Sequence, residues 1–198
     1  TMGKITGLED IHHVPPKVHQ MYEAVIQLLE AGADVADIRV STITERAGIG
    51  KGTAYEYFET KDEIVACAIV YQIQRIFSWL GEKLEEQEDF RQQVVFLLDV
   101  VEQKERCKAG FLRFVHMMTS NSDFDRMVRE KMNTEAFAPY LPVNIFGKIL
   151  GQGVERGELR KDLPIGYMIH CVFSHLLTYM MSVASRDCFH VKEAAIRP

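Results

Sequence analysis

A chain of 198 residues, 47% apolar and 26% charged, is long enough to bury a core and too apolar to stay disordered. A formal charge of −5 excludes a general polyanion binder, so any nucleic-acid function must rest on a small local site. No apolar run reaches the ~20 residues needed to cross a bilayer. Residues 2–13 carry acids and histidines where the apolar centre of a signal peptide would stand, so a cytoplasmic location is expected. Cys67, Cys107, Cys171 and Cys188 form no close pair and read as free thiols.

The prolines fall at boundaries, and between them long segments carry helical apolar spacing without hairpin signals. The chain is therefore expected to be all-α. His12 and His13 fall in an N-terminal arm expected to be flexible. The first helix should run from Pro16 to about Ala31, with Val18, Met21, Tyr22, Val25, Ile26, Leu28 and Leu29 as its apolar stripe and Gly32 as its stop. A polar connector over 34–39 leads to a short helix over 41–47. The turn Gly48-Ile49-Gly50 and a third helix over 51–58 follow. Thr60 is placed to cap a fourth helix reaching about Glu86, and Thr60 with Glu63 has the capping-box spacing. Further helices are expected over 90–105, 107–118, 122–132, 143–156 and 164–185. Short helices give way to long ones near residue 60, which divides the chain into domains 1–62 and 63–198.

The second and third helices have the pattern of a helix-turn-helix. Ile43 and Ala47 share one face of the second, Ile49 plugs the turn, and Ala54 with Phe58 faces back from the third. Lys51, Gly52, Thr53, Tyr55, Glu56 and Tyr57 are left on the outer arc. The hydroxyls of Thr53, Tyr55 and Tyr57 suit phosphate oxygens, and Gly52 permits close approach to DNA. Glu56 suits the cytosine amino group, but a solvated rim position is the favoured reading. From Arg39 to Lys61 the four bases outnumber the three acids by one, which implies modest non-specific affinity and reliance on a dimer.

The stretch Val40 to Ile64 resembles the DNA-binding domain of TetR-family transcriptional regulators. Ala47, Gly48, Ile49, Gly52, Thr53, Tyr55, Tyr57, Phe58, Lys61 and Ile64 match that pattern at fixed spacing. Ile38-Arg39 stands where the family often has Thr ahead of the second helix, Thr44 where it has Ala, and Gly50 where it has Ser. The resemblance implies a three-helix DNA-binding domain followed by a helical ligand-binding and dimerisation domain. It also implies a repressor of palindromic operator DNA, released by a small inducer. DNA contacts are assigned to Arg39, Thr42, Gly50, Lys51, Gly52, Thr53, Tyr55, Glu56, Tyr57 and Lys61, with Lys61 on a phosphate.

Trp79, Phe111, Phe114, His116 and Phe173 are the candidate inducer contacts. No carboxylate lies between Cys107 and Ser122, so a lipophilic cation is disfavoured and a largely apolar, neutral or weakly anionic molecule is favoured. The last two helices are expected to dimerise. Gly147, Gly151 and Gly153 would permit close approach, and Leu163, Tyr167, His170, Phe173, Ser174, Leu177 and Met181 would form the second surface. The rival reading is a metal- or thiol-dependent sensor or enzyme using Cys107, His116, His170, Cys171 and His175. No nucleophile elbow or zinc-protease motif is present. Gly50-Lys51-Gly52-Thr53 lacks the earlier glycine of a phosphate loop. The chain is expected not to be an enzyme, and to need no metal or cofactor.

Overall fold

A computed structural model of the chain describes residues 6–103 and 114–184, and no β-strand occurs among them. In chain order the helices are α1 (Pro16–Glu30), α2 (Val40–Ala47), α3 (Lys51–Tyr57), α4 (Lys61–Glu85), α5 (Phe90–Gln103), α6 (helical over 114–119), α7 (Asp123–Met132), a 3-10 turn (Ala138–Tyr140), α8 (Pro142–Glu155) and α9 (Ile165–Ala184). The chain is all-α, as its periodicity indicates. It forms two compact units: Thr1–Ile76 with Val115–Pro139, and Phe77–Phe114 with Tyr140–Pro198. One boundary between the compact units falls within α4, and α7 belongs to the first unit.

The core of the first unit begins with Val18, Met21, Tyr22, Val25 and Ile26 of α1, all buried. Ile43, Ala54, Phe58 and Ile64 complete it from the following helices and their ends, each without solvent exposure. The Tyr22 ring lies 6.1 Å from Phe58 and 5.2 Å from Tyr71. Each such large apolar side chain contributes roughly 1.5–3 kcal/mol by leaving water. Pro16 starts α1 where its missing N–H costs nothing. Gly48 ends α2 at φ +67°, a left-handed conformation that a Cβ would penalise. Thr60 Oγ1 accepts from the Glu63 amide at 3.1 Å, while Glu63 reaches back to the Glu59 amide at 2.8 Å, one residue before the capping-box position.

The segment ahead of His12 and His13 is tied to the core by two hydrogen bonds. The Tyr22 hydroxyl donates to the Thr6 carbonyl at 2.8 Å, and the Gln74 amide donates to the Leu8 carbonyl at 3.2 Å. Both side chains are buried, and buried polar tips need partners that the arm's carbonyls supply. Asp10 then closes a turn, accepting from the His12 amide at 2.9 Å and meeting His13 Nδ1 at 2.6 Å. The His12 amide bond and then the His13 contact hold the Asp10 carboxyl below its ordinary value. Gly7, at φ +77°, sits where a Cβ would come 2.9 Å from Val14 Cα.

In the second unit, aromatic pairs carry the packing. Phe77 meets Phe114 edge-on at 5.6 Å, Trp79 lies 6.0 Å from Phe96, and Phe146 meets Phe173 edge-on at 5.2 Å. Gly153 is buried, and a Cβ there would come 2.9 Å from Leu159 Cδ1. Gly153 therefore makes room for Leu159 within its own chain. By length and composition α4 could cross a membrane, but 67% of that stretch is buried inside the fold, as in a core helix.

Candidate nucleic-acid interface and effector site

The helix-turn-helix is built as its spacing requires. Ile43 and Ala54 are fully buried, and Phe58 closes the C-terminal end of α3 with no exposure. After Gly48, the turn returns its amides to the Glu45 and Thr44 carbonyls at 3.2 and 3.0 Å. Thr44, where the related pattern has Ala, is buried with its hydroxyl donating to the Ser41 carbonyl at 3.1 Å. That bond removes the cost of burying its oxygen.

The turn and helix ends leave Arg39, Thr42, Gly50, Lys51, Gly52, Tyr55 and Glu56 exposed, with Thr53 and Tyr57 half-buried. A Cβ at Gly50 or Gly52 would touch nothing within 4 Å, so no packing inside the protein calls for either glycine. Lys61 differs from the others. Its side chain is 25% exposed, pairs with Asp62 Oδ1 at 2.8 Å and donates to the Val35 carbonyl at 3.0 Å. It thus ties the α1–α2 connector to the start of α4, a contact between residues 26 apart that no local pattern announces. The first unit also holds α1 to α4 through Glu23 and Arg75, at 2.5 Å, with Arg75 5.5 Å over the Tyr71 ring.

The effector candidates are not gathered around one described cavity. Trp79, Phe114 and Phe173 each pack in aromatic pairs, His116 is exposed and belongs to the first unit, and Phe111 lies outside the described residues. Two open clefts of about 270 and 470 Å³ line the outer side of α5 and include none of these residues. The residues of the rival reading are dispersed too. His170, Cys171 and His175 are exposed on α9, and Cys107 lies outside the described residues. Among the described residues no group of three His, Cys, Asp or Glu is placed to hold a metal ion. Burial pushes the Cys67 thiol up to about 11, which keeps it protonated and unreactive.

The α9 helix presents the other unusual surface. Its 20 residues contain no Asp, Glu, Lys or Arg. Met168, Leu176, Tyr179 and Met180 are buried, while Tyr167 is 57% exposed and Met181 44% exposed. His170 and Ser174 are exposed between them, at three- and four-residue steps along one outward face.

Comparison with known proteins agrees with this geometry. Residues 30–67 match the family model described as "Bacterial regulatory proteins, tetR family". The "Fatty acid metabolism regulator protein" of Bacillus subtilis (strain 168) is 24% identical over 163 residues, which cover 80% of this chain and 78% of that protein. The fold is similar to that of the transcriptional regulator FadR from Bacillus subtilis in complex with stearoyl-CoA. The TM-score is 0.60 and the identity 18%, over 86% of this chain and 89% of that one. It is also similar to the fatty acid degradation regulator FadR from Bacillus halodurans, with a TM-score of 0.64 and 19% identity over 94% and 93% of the two chains.

Proposed function

We propose, for a chain that belongs to the tetR family of bacterial regulators through its N-terminal domain, that it is a cytoplasmic homodimeric repressor released from palindromic operator DNA by a long-chain acyl thioester of coenzyme A. The observation that carries the DNA-binding part is the exposed polar arc of α3 behind a fully buried Ala54 and Phe58. Arg39, Thr42, Gly50, Lys51, Gly52, Thr53, Tyr55, Glu56 and Tyr57 supply the contacts, and Lys61 positions the connector as well as facing a phosphate. Support for the effector class is the stearoyl-CoA bound by the B. subtilis regulator of similar fold. An acyl chain fits the apolar ligand expected from the aromatic and Met-rich helices, but its head group is a strong anion rather than a weak one. Nucleotide phosphates of that kind remain at a solvated rim while the acyl tail leaves water.

Dimerisation through the outward face of α9, with α8 beside it, covers Tyr167, His170, Ser174 and Met181 against the same residues of a second copy. The mechanism is a two-state shift. The backbone of α4 continues from the first unit into the second. An effector that binds one state of the second unit more tightly therefore biases where α4 carries the first. The two recognition helices then no longer match major grooves about 34–36 Å apart. Switching occupancy fully requires a preference of about 10⁴-fold between the states.

The test is selection of DNA from a random pool by the whole protein, followed by gel shifts on the selected site. A palindromic motif, a loss of about tenfold in affinity for Tyr55→Ala with an unchanged melting temperature, and release by stearoyl-CoA are expected. Release by stearate or coenzyme A alone at equal concentration would reject the thioester assignment. Absence of any enriched motif would reject the operator-binding reading.

A further inference from the structure

Successive residues of a helix turn by roughly 100°, so the position opposite the midpoint of Ala54 and Phe58 on α3 is Glu56. The side chain that projects farthest from the core of the recognition helix is thus a carboxylate. It is exposed, and among the described residues it has no hydrogen bond or ion pair. Its neighbours at three and four residues are Gly52, Thr53, Glu59 and Thr60, none of them a base. Gly52 stands one turn before it on the same outward arc, in a place where an added Cβ would meet nothing of the protein. Glycine inside a helix costs about 1 kcal/mol relative to alanine. Neither backbone conformation nor internal packing accounts for it here.

We infer that Glu56 is the specificity-determining residue of the recognition helix and accepts a hydrogen bond from the exocyclic amino group of one cytosine in each operator half-site, with Gly52 giving the helix backbone the clearance that brings it there. The resemblance to related regulators leaves position 56 open, and the inference rests on the operator-binding reading above.

The chemistry of the base edges selects the partner. An ionised carboxylate only accepts hydrogen bonds. In the major groove guanine offers N7 and O6, both acceptors, and thymine offers O4 and a methyl group. All of these repel or exclude a carboxylate. Adenine has an amino donor, but its N7 acceptor lies beside it and faces the second carboxylate oxygen. Cytosine N4 has an acceptor, guanine O6, on one side only and the C5–H edge on the other, whereas adenine N6 lies between its own N7 and thymine O4. The same charge faces two phosphate backbones, so on any sequence lacking the cytosine it is a repulsive element. It lowers non-specific binding as well as rewarding the correct base.

The experiment compares three full-length proteins, wild type, Glu56→Gln and Glu56→Ala, by selection from a random DNA pool and by titration on non-specific duplex. Wild type is expected to enrich cytosine at one position per half-site. Glu56→Gln should move that position toward adenine, because an amide pairs with adenine N6 and N7 together. Glu56→Ala should leave the position degenerate, with the rest of the motif retained. Discrimination at that base pair should fall by about tenfold in Glu56→Ala, and non-specific affinity should rise in both variants. An operator motif enriched equally by all three proteins, with the same base preferences throughout, would overturn the inference while leaving operator binding intact. No motif with wild type would overturn both. Glu56 is exposed, so equal melting temperatures are expected and serve as the folding control.

Discussion

The outward faces of α3 and α9 leave very different chemistry uncovered. α3 shows Lys51, Gly52, Tyr55 and Glu56, a mixture of charge, backbone and hydroxyl. α9 shows Tyr167, His170, Ser174 and Met181 along 20 residues with no Asp, Glu, Lys or Arg. A face of the first kind is stable in water and gains by meeting another highly charged, hydrogen-bonding surface. A face of the second kind sets apolar area beside short hydrogen-bonding groups and gains by covering that apolar area against a surface like itself. The two helices differ in support as well. α3 has 7 residues and depends on Ala54 and Phe58 for its place, whereas α9 is long enough to be held by a row of buried side chains.

That difference sets an order of expected effects. Phe58→Ala removes a fully buried ring from the end of α3, and a loss of roughly 3–5 kcal/mol is expected in denaturant titration, with DNA binding lost alongside. A cut of less than 1 kcal/mol would mean that α3 is held otherwise. Replacing Tyr167 and Met181 together by Asp should leave far-ultraviolet circular dichroism unchanged but weaken the dimer by about a hundredfold or more in sedimentation equilibrium. An unaltered dimer would show that α9 pairs with nothing. Gly52→Ala separates stability from function, because the substitution should stabilise the fold by about 0.5–1 kcal/mol in thermal melts while weakening operator binding. Gain in both would remove the clearance argument for α3.

The smallest effect concerns the N-terminal arm and has a definite sign. Asp10 has its folded value below 3.8, so the folded chain binds that proton less tightly than the unfolded one. Its contribution is complete above the unfolded value and disappears as pH falls through the folded one. Asp10→Asn should therefore melt slightly below wild type at pH 7, and the two curves should converge as pH falls through the folded value of Asp10. Curves that stay apart in acid would point to a contact other than the carboxylate charge.

The helix-turn-helix was legible because its determinants lie within a few residues of one another. Ile43 with Gly48, Ala54 with Phe58, and Thr60 with Glu63 are all local pairs, and local spacing decides what they do. The effector candidates were chosen by composition alone. An aromatic on a helix face is equally suited to a pocket and to a core, and in the structure Phe114 meets Phe77 and the half-buried Phe173 meets Phe146. The ties at Thr6 and Leu8 were not legible because their partners, Tyr22 and Gln74, are side chains on helices distant along the chain.

What the sequence determined by itself is therefore the helical class, the limits of α1 to α4, the left-handed stop at Gly48 and the polar arc of α3, since backbone hydrogen bonding and side-chain periodicity act over one or two turns. Only the tertiary structure decided that Lys61 holds the carbonyl of Val35, that Gly153 makes room for Leu159, and that the arm at Thr6 and Leu8 caps buried polar groups of α1 and α4. Each of these depends on which groups arrive side by side once the apolar stripes are buried. A buried donor must take a partner there, whatever its distance along the chain.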